Sequence, residues 1–154
     1  MAVWRLLWYP SLLAVLVWGL LRLDRVLPRL IPSQPTLGGF LVLVGVAWGI
    51  YCTGLLARLG KGSPHPFTYK TKQLVLRGPY RFVRNLMMWA VGTILLGASL
   101  WLGSTGLLIG FAGFVPGIHL FVTRYEEHDL ERRFGEAYRE YCRRVPRWWP
   151  KWHG

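Results

Sequence analysis

The chain has 154 residues, enough for one domain, and 53% of them are hydrophobic, with nine tryptophans. Its net charge is +12, yet the arginines flank long apolar runs instead of lining a polar basic face. That pattern argues against a nucleic-acid-binding module and against an ordinary soluble domain, and for a membrane protein.

In chain order, apolar runs predict four membrane spans, at about 3–21, 37–59, 85–102 and 105–123. Each approaches the ~20 residues that a helix needs to cross the hydrocarbon core. The first run contains Pro10 and is followed by no Ala-x-Ala-like site, so it reads as a retained span. The expected fold class is all-α integral membrane: four transmembrane helices and a C-terminal amphipathic cytoplasmic helix, in one domain over 1–154.

Arginine and lysine set the orientation. Arg58, Lys61, Lys70, Lys72, Arg77, Arg81 and Arg84 lie between the second and third runs. A second basic group, from Arg124 to Lys151, follows the fourth run. By the positive-inside rule both groups are cytoplasmic, and so are both termini. The expected location is an inner membrane of bacterial type. Cys52 and Cys142 show no CxxC or zinc spacing, so they read as free thiols and no metal site is expected.

The fourth run carries Gly106, Gly110, Gly113 and Gly117, spaced four, three and four. Such a stripe lets helices approach closely. Ala90, Thr93 and Gly97 of the third run offer a matching face. Pro116 should kink the helix, and His119 follows within a turn. A histidine at membrane depth is a candidate functional residue; its bland alternative is a hydrogen bond to a neighbouring helix.

Six of the seven acidic residues lie between Glu126 and Glu140. Leu130, Phe134, Tyr138, Tyr141 and Val145 recur at helical spacing, which predicts an amphipathic helix over about 124–144. The tail VPRWWPKWHG mixes Trp148, Trp149 and Trp152 with Arg147 and Lys151, as interfacial anchors do.

Two polar groups meet at the cytoplasmic edge if the third and fourth runs form a hairpin. Gly78-Pro79 reads as a helix start, with Tyr80, Arg81, Arg84 and Asn85 close behind. Opposite stand Arg124, Tyr125, Glu126 and Glu127. Arginines and helix amides suit a carboxylate or phosphate, and carboxylates suit an ammonium. A zwitterion would satisfy both. The alternative is arginines reaching lipid phosphates, with the glutamates merely pairing them.

GPYRFVRN, followed ~40 residues later by RYEEHDLERRFGEAYREYCRRVPRW, resembles the isoprenylcysteine carboxyl methyltransferase family and the related phospholipid N-methyltransferases. The likeness covers roughly 59–150 and is collinear. It implies a small membrane enzyme that uses S-adenosylmethionine to methylate a lipid-soluble or membrane-embedded acceptor, among membrane lipids and without nucleic acid. Carried over, Tyr80, Arg81, Arg84, Asn85, Glu126, Glu127 and Tyr138 bind the cofactor, and Glu127, His119 and Arg81 are the catalytic candidates. One segment departs. After the second arginine the family has His or Asn, then Pro-x-Tyr-x-Gly; here Leu86, Met88 and Ala90 replace Pro, Tyr and Gly. That departure motivates the alternative reading, a non-catalytic subunit of a membrane protein complex that keeps the fold.

Overall fold

The computed structural model describes residues 14–60 and 73–150. The first part of the run at 3–21, the basic residues Lys61, Lys70 and Lys72, and Lys151 and Trp152 lie outside the described residues. Helices account for the regular structure, and no strand occurs among the described residues. The helices are α1 (Ala14–Leu23), α2 (Pro35–Gly60), α3 (Leu86–Leu102), α4 (Thr105–Phe121), α5 (Glu127–Phe134) and α6 (Glu136–Arg144).

Among the described residues, two continuous helices are long and apolar enough to cross a membrane. One is α2, with 26 residues, or roughly 39 Å at about 1.5 Å per residue. The other runs unbroken from Thr105 to Phe134, 30 residues, because a π turn over Val122–Glu126 joins α4 to α5. Helices α1 and α3 are apolar and shorter.

The chain forms two compact units, Met1–Ala47 with Ala90–Pro116, and Trp48–Trp89 with Gly117–Gly154. In the first, glycine decides the packing. A Cβ on Gly38 would strike the backbone of Trp101 and Gly97, and one on Gly97 would come within 2.8 Å of the Val42 amide nitrogen. So α2 and α3 touch backbone to backbone, as small residues permit. The stripe on α4 has a different partner from the one its spacing suggested. Gly106 lies against the Leu20 carbonyl and Gly110 against the Leu20 side chain, both on α1, while Gly113 and Gly117 face open space. The small face of α3 is already taken by Gly38 and Gly45 of α2.

The turn between α3 and α4 is also specified locally. Gly103 adopts φ +61°, the left-handed conformation that ends a helix. Ser104 then caps α4, its hydroxyl accepting from the Leu107 amide at 3.0 Å. The loop after α1 completes the cap. Asp24 Oδ1 accepts from the Gly106 amide at 2.7 Å, and Thr105 donates its hydroxyl to the Pro28 carbonyl at 2.8 Å. Partial burial pulls the Asp24 carboxyl upward, but hydrogen bonds from Ser104 and Gly106, with Arg29 nearby, leave it below its usual 3.8. Its charged form therefore stabilises the fold fully above that value, and this contribution fades as pH falls through the lowered one. Asp24→Ala is expected to destabilise by about 1 kcal/mol at pH 7, the usual worth of a cap. Melting curves at pH 7 and at pH 3 or below check this: the gap between variant and wild type should narrow in acid.

In the second unit, Leu130, Phe134, Tyr138, Tyr141 and Val145 pack with Leu74 and Cys142 in one cluster. The stretch read as a single helix over 124–144 is broken in two. Gly135 sits at φ +56°, and this turn separates α5 from α6.

Candidate functional site

The site grows from the GPYR turn in the second unit. Gly78 takes φ +63°, Pro79 follows, and Gly78–Arg81 forms one 3-10 turn. The turn does not run on into α3, which starts only at Leu86. The helix start that Gly78-Pro79 suggested is therefore one isolated turn, and Arg84 and Asn85 precede α3. Arg81 is exposed and lies over the ring of Phe82, 4.7 Å from its centroid. Tyr80 turns inward and is 6% exposed. Its carbonyl accepts from the Tyr141 hydroxyl at 2.6 Å, while its own buried hydroxyl, beside the Cys52 thiol, makes no hydrogen bond of good geometry.

Arg84 points into the unit. Its Nη1 donates to Cys142 Sγ at 2.6 Å and lies 3.0 Å from Glu127 Oε1. Tyr138 accepts a longer bond from the same nitrogen at 3.5 Å. Arg147 holds Glu127 from the other side with two bonds, Nε to Oε1 at 2.8 Å and Nη2 to Oε2 at 2.7 Å. This paired fork is the strong form of the arginine–carboxylate contact. Both oxygens of Glu127 are thus engaged by two guanidinium groups. The role of Arg147 was hidden in the sequence, where it reads as one more interfacial cation. The signal available was its place in the RVPRW segment of the family-like motif.

Glu126 is the contrasting neighbour. Its Oε2 is buried without a hydrogen-bond partner. Burial, with the charges of Glu127 and Asp129 adding to it, pushes its carboxyl above the usual range. A π turn ends at this pair. Glu127 donates its amide to the Val122 carbonyl, five residues back, so the helix is locally widened just before the pair. Such turns recur at functional sites.

His119 meets the tail. Trp148 donates its indole N–H to His119 Nδ1 at 3.0 Å. A neutral imidazole that accepts at Nδ1 carries its proton on Nε2, so neither nitrogen offers a free lone pair as a base. Burial keeps the Tyr138 and Tyr141 hydroxyls protonated well beyond neutral pH. The structure thus brings Arg84, Asn85, Glu127 and Tyr138 together with Arg147, sets the buried Tyr80 and the half-buried Glu126 nearby, and leaves Arg81 outside.

The amides just before α3, at the helix start the sequence offered to an anion, also have partners. The Arg84 amide donates to the Pro146 carbonyl at 3.1 Å, and the Asn85 amide to the Arg147 carbonyl at 3.4 Å.

The described residues are helical, and arginines cluster there around two adjacent carboxylates. The sequence model described as phospholipid methyltransferase matches residues 33–137, more than half of the chain, and the protein belongs to that family. An uncharacterized protein of Haemophilus influenzae is 42% identical over 55 residues, which is 36% of this chain and 87% of that relative. No solved structure matches the chain.

Proposed function

We propose that the protein is an S-adenosylmethionine-dependent methyltransferase that acts on a lipid-soluble acceptor from within the membrane. It would cross four times, near 3–21, 37–59, 85–102 and 105–123, as one domain over 1–154, with both termini and the α5–α6 pair on the cytoplasmic side of an inner membrane.

One observation carries the reading. Two buried polar groups of opposite charge have unmet valence in the same unit: Glu126 Oε2 and Arg84 Nε have no hydrogen-bond partner. Leaving such groups bare is costly unless something arrives to meet them. A zwitterionic amino-acid group fits both. Glu126 would face its ammonium, Arg84 its carboxylate, and Tyr80 and Asn85 would line the approach. The bound cofactor supplies an electrophilic methyl on a sulfonium. The chain supplies position and exclusion of water. With its proton affinity raised by burial, Glu126 can also take a proton from an amine or hydroxyl acceptor. Glu127, held by two arginines, acts as a positioning residue for Arg84.

A calorimetric titration in detergent with S-adenosylmethionine and its demethylated product tests this. Saturable binding is expected, abolished by Glu126→Gln. No response at millimolar ligand would overturn the reading. The same variant carries a second signature. A carboxyl with raised proton affinity opposes folding when ionised, and the penalty shrinks as pH falls towards its unfolded value of about 4.5. Glu126→Gln should therefore melt higher than wild type at pH 8 and no higher at pH 4.

A second reading has its own support. Leu86, Met88 and Ala90 stand where the family resemblance expects Pro, Tyr and Gly, and the tail occupies the amides just before α3. A non-catalytic subunit of a membrane complex would show folded protein with no ligand response. A mass-spectrometric search for a methylated lipid, with and without the protein, identifies the acceptor if there is one.

A further inference from the structure

The chain leaves α6 at Val145, which is extended at φ −112°, ψ 123° and buried. From there Pro146–Trp149 passes the start of α3. Three successive carbonyls meet donors there: Pro146 O takes the Arg84 amide at 3.1 Å, Arg147 O takes the Asn85 side-chain amide at 3.3 Å, and Trp148 O takes the Trp89 indole at 3.1 Å. The side chains hold three further points. Arg147 clasps Glu127, Trp148 donates to His119, and Trp149 packs edge-on against Trp89 with centroids 4.9 Å apart.

These contacts differ in kind from those that hold α6. Tyr138, Tyr141 and Val145 are buried in an apolar cluster. Beyond Val145 the segment is held mainly by polar bonds, and Trp149 is 71% exposed. Regions with little apolar burial open at lower free energy than the core beside them. The segment also satisfies the donors around the start of α3 with neutral carbonyls, which a carboxylate or phosphate outmatches by forming charge-assisted bonds.

We infer that Pro146–Trp149 is a removable strap, a self-ligand that opens as a unit at the Val145–Pro146 junction and competes with an external anionic group for the Arg84 and Asn85 amides that lead into α3. Lifting it frees the Arg84 and Asn85 amides and one side of Glu127 together. The ligand half of this inference rests on the methyltransferase reading; the opening half does not.

Hydrogen exchange read by mass spectrometry on the full chain in detergent tests the opening. The Arg84 and Asn85 amides report docking, since the strap's carbonyls protect them. Arg147→Ala, and separately Trp148→Phe, should speed exchange in a peptide spanning these amides about tenfold or more, with the α6 amides unchanged. Unchanged exchange, or acceleration of α6 to the same degree, would overturn the strap. Titration with S-adenosylhomocysteine then tests competition. If the strap is docked nine-tenths of the time, Arg147→Ala should bind about tenfold tighter, because apparent affinity scales with the open fraction. Weaker binding by Arg147→Ala refutes competition. Binding by no variant sinks the methyltransferase reading, and the exchange result alone then decides whether the strap opens.

Discussion

Glu127→Ala is expected to destabilise the protein by about 2–3 kcal/mol, or roughly 5–10 °C in melting temperature for a chain of this length. The reason is what it leaves behind. Arg84 is 10% exposed at its side chain and Arg147 32%, and both would keep their charge with no carboxylate between them. Breaking a buried pair by removing one partner usually costs more than this; the partial exposure of Arg147 lets water recover some of the loss. Removing both partners separates the pair from its setting. In a double-mutant cycle, Glu127→Ala with Arg147→Ala should fall short of the sum of the single effects by about 1–2 kcal/mol. Thermal unfolding of the four proteins in one detergent measures it. Strict additivity would mean that the fork contributes nothing. Glu127→Gln should be milder, since the amide oxygen still accepts from one guanidinium.

The second large effect is expected at Gly38 and Gly97. Each Cβ would meet the backbone of the facing helix, and backbone cannot swing aside as a long side chain can. Gly97→Leu should prevent accumulation of folded protein, and Gly97→Ala should cost about 3 kcal/mol or more, at the upper end of overpacking effects. Gly39 and Gly54 lie in the same helix α2, where an added methyl would meet nothing within 4 Å. Alanine there should instead stabilise by about 0.5–1 kcal/mol through helix propensity. Size-exclusion profiles and melting curves of the four variants distinguish the two classes. Loss at Gly39 equal to that at Gly97 would show that helix glycines matter here for some reason other than close approach.

Much of the helical skeleton is legible because hydrophobic length is a one-dimensional signal. The run at 37–59 needs no partner to be read as a helix, and α2 spans Pro35–Gly60. The spacing of Leu130, Phe134, Tyr138, Tyr141 and Val145 likewise announces one apolar face, and these residues pack in one cluster. Pairing is harder to read. The α4 glycines advertise a close neighbour without naming it, and the neighbour is α1. The GPYR stretch looks like the opening of α3, yet its glycine at positive φ and the residues after its single turn delay the helix to Leu86. Periodicity also passes over Gly135, because the apolar spacing continues across the break. The site was legible in its composition and not in its circuitry. Arg84 and Glu127 are adjacent in space as a hairpin suggests, but the third member, Arg147, comes from a tail whose tryptophans read as anchoring.

The π turn at Val122–Glu126 has a consequence for how this chain could change over time. A π turn holds one residue more than the α-helical turn it replaces, so it behaves as a single-residue insertion absorbed within a helix. Removing one residue from that turn would restore the ordinary winding and leave the helix on either side in its present orientation, because the turn already takes up the extra residue. Glu126 closes that turn and Glu127 follows it, so the length of the turn bears more directly on the bare glutamate than on the clasped one. A one-residue change of length can thus be absorbed there with little trace in composition or charge pattern.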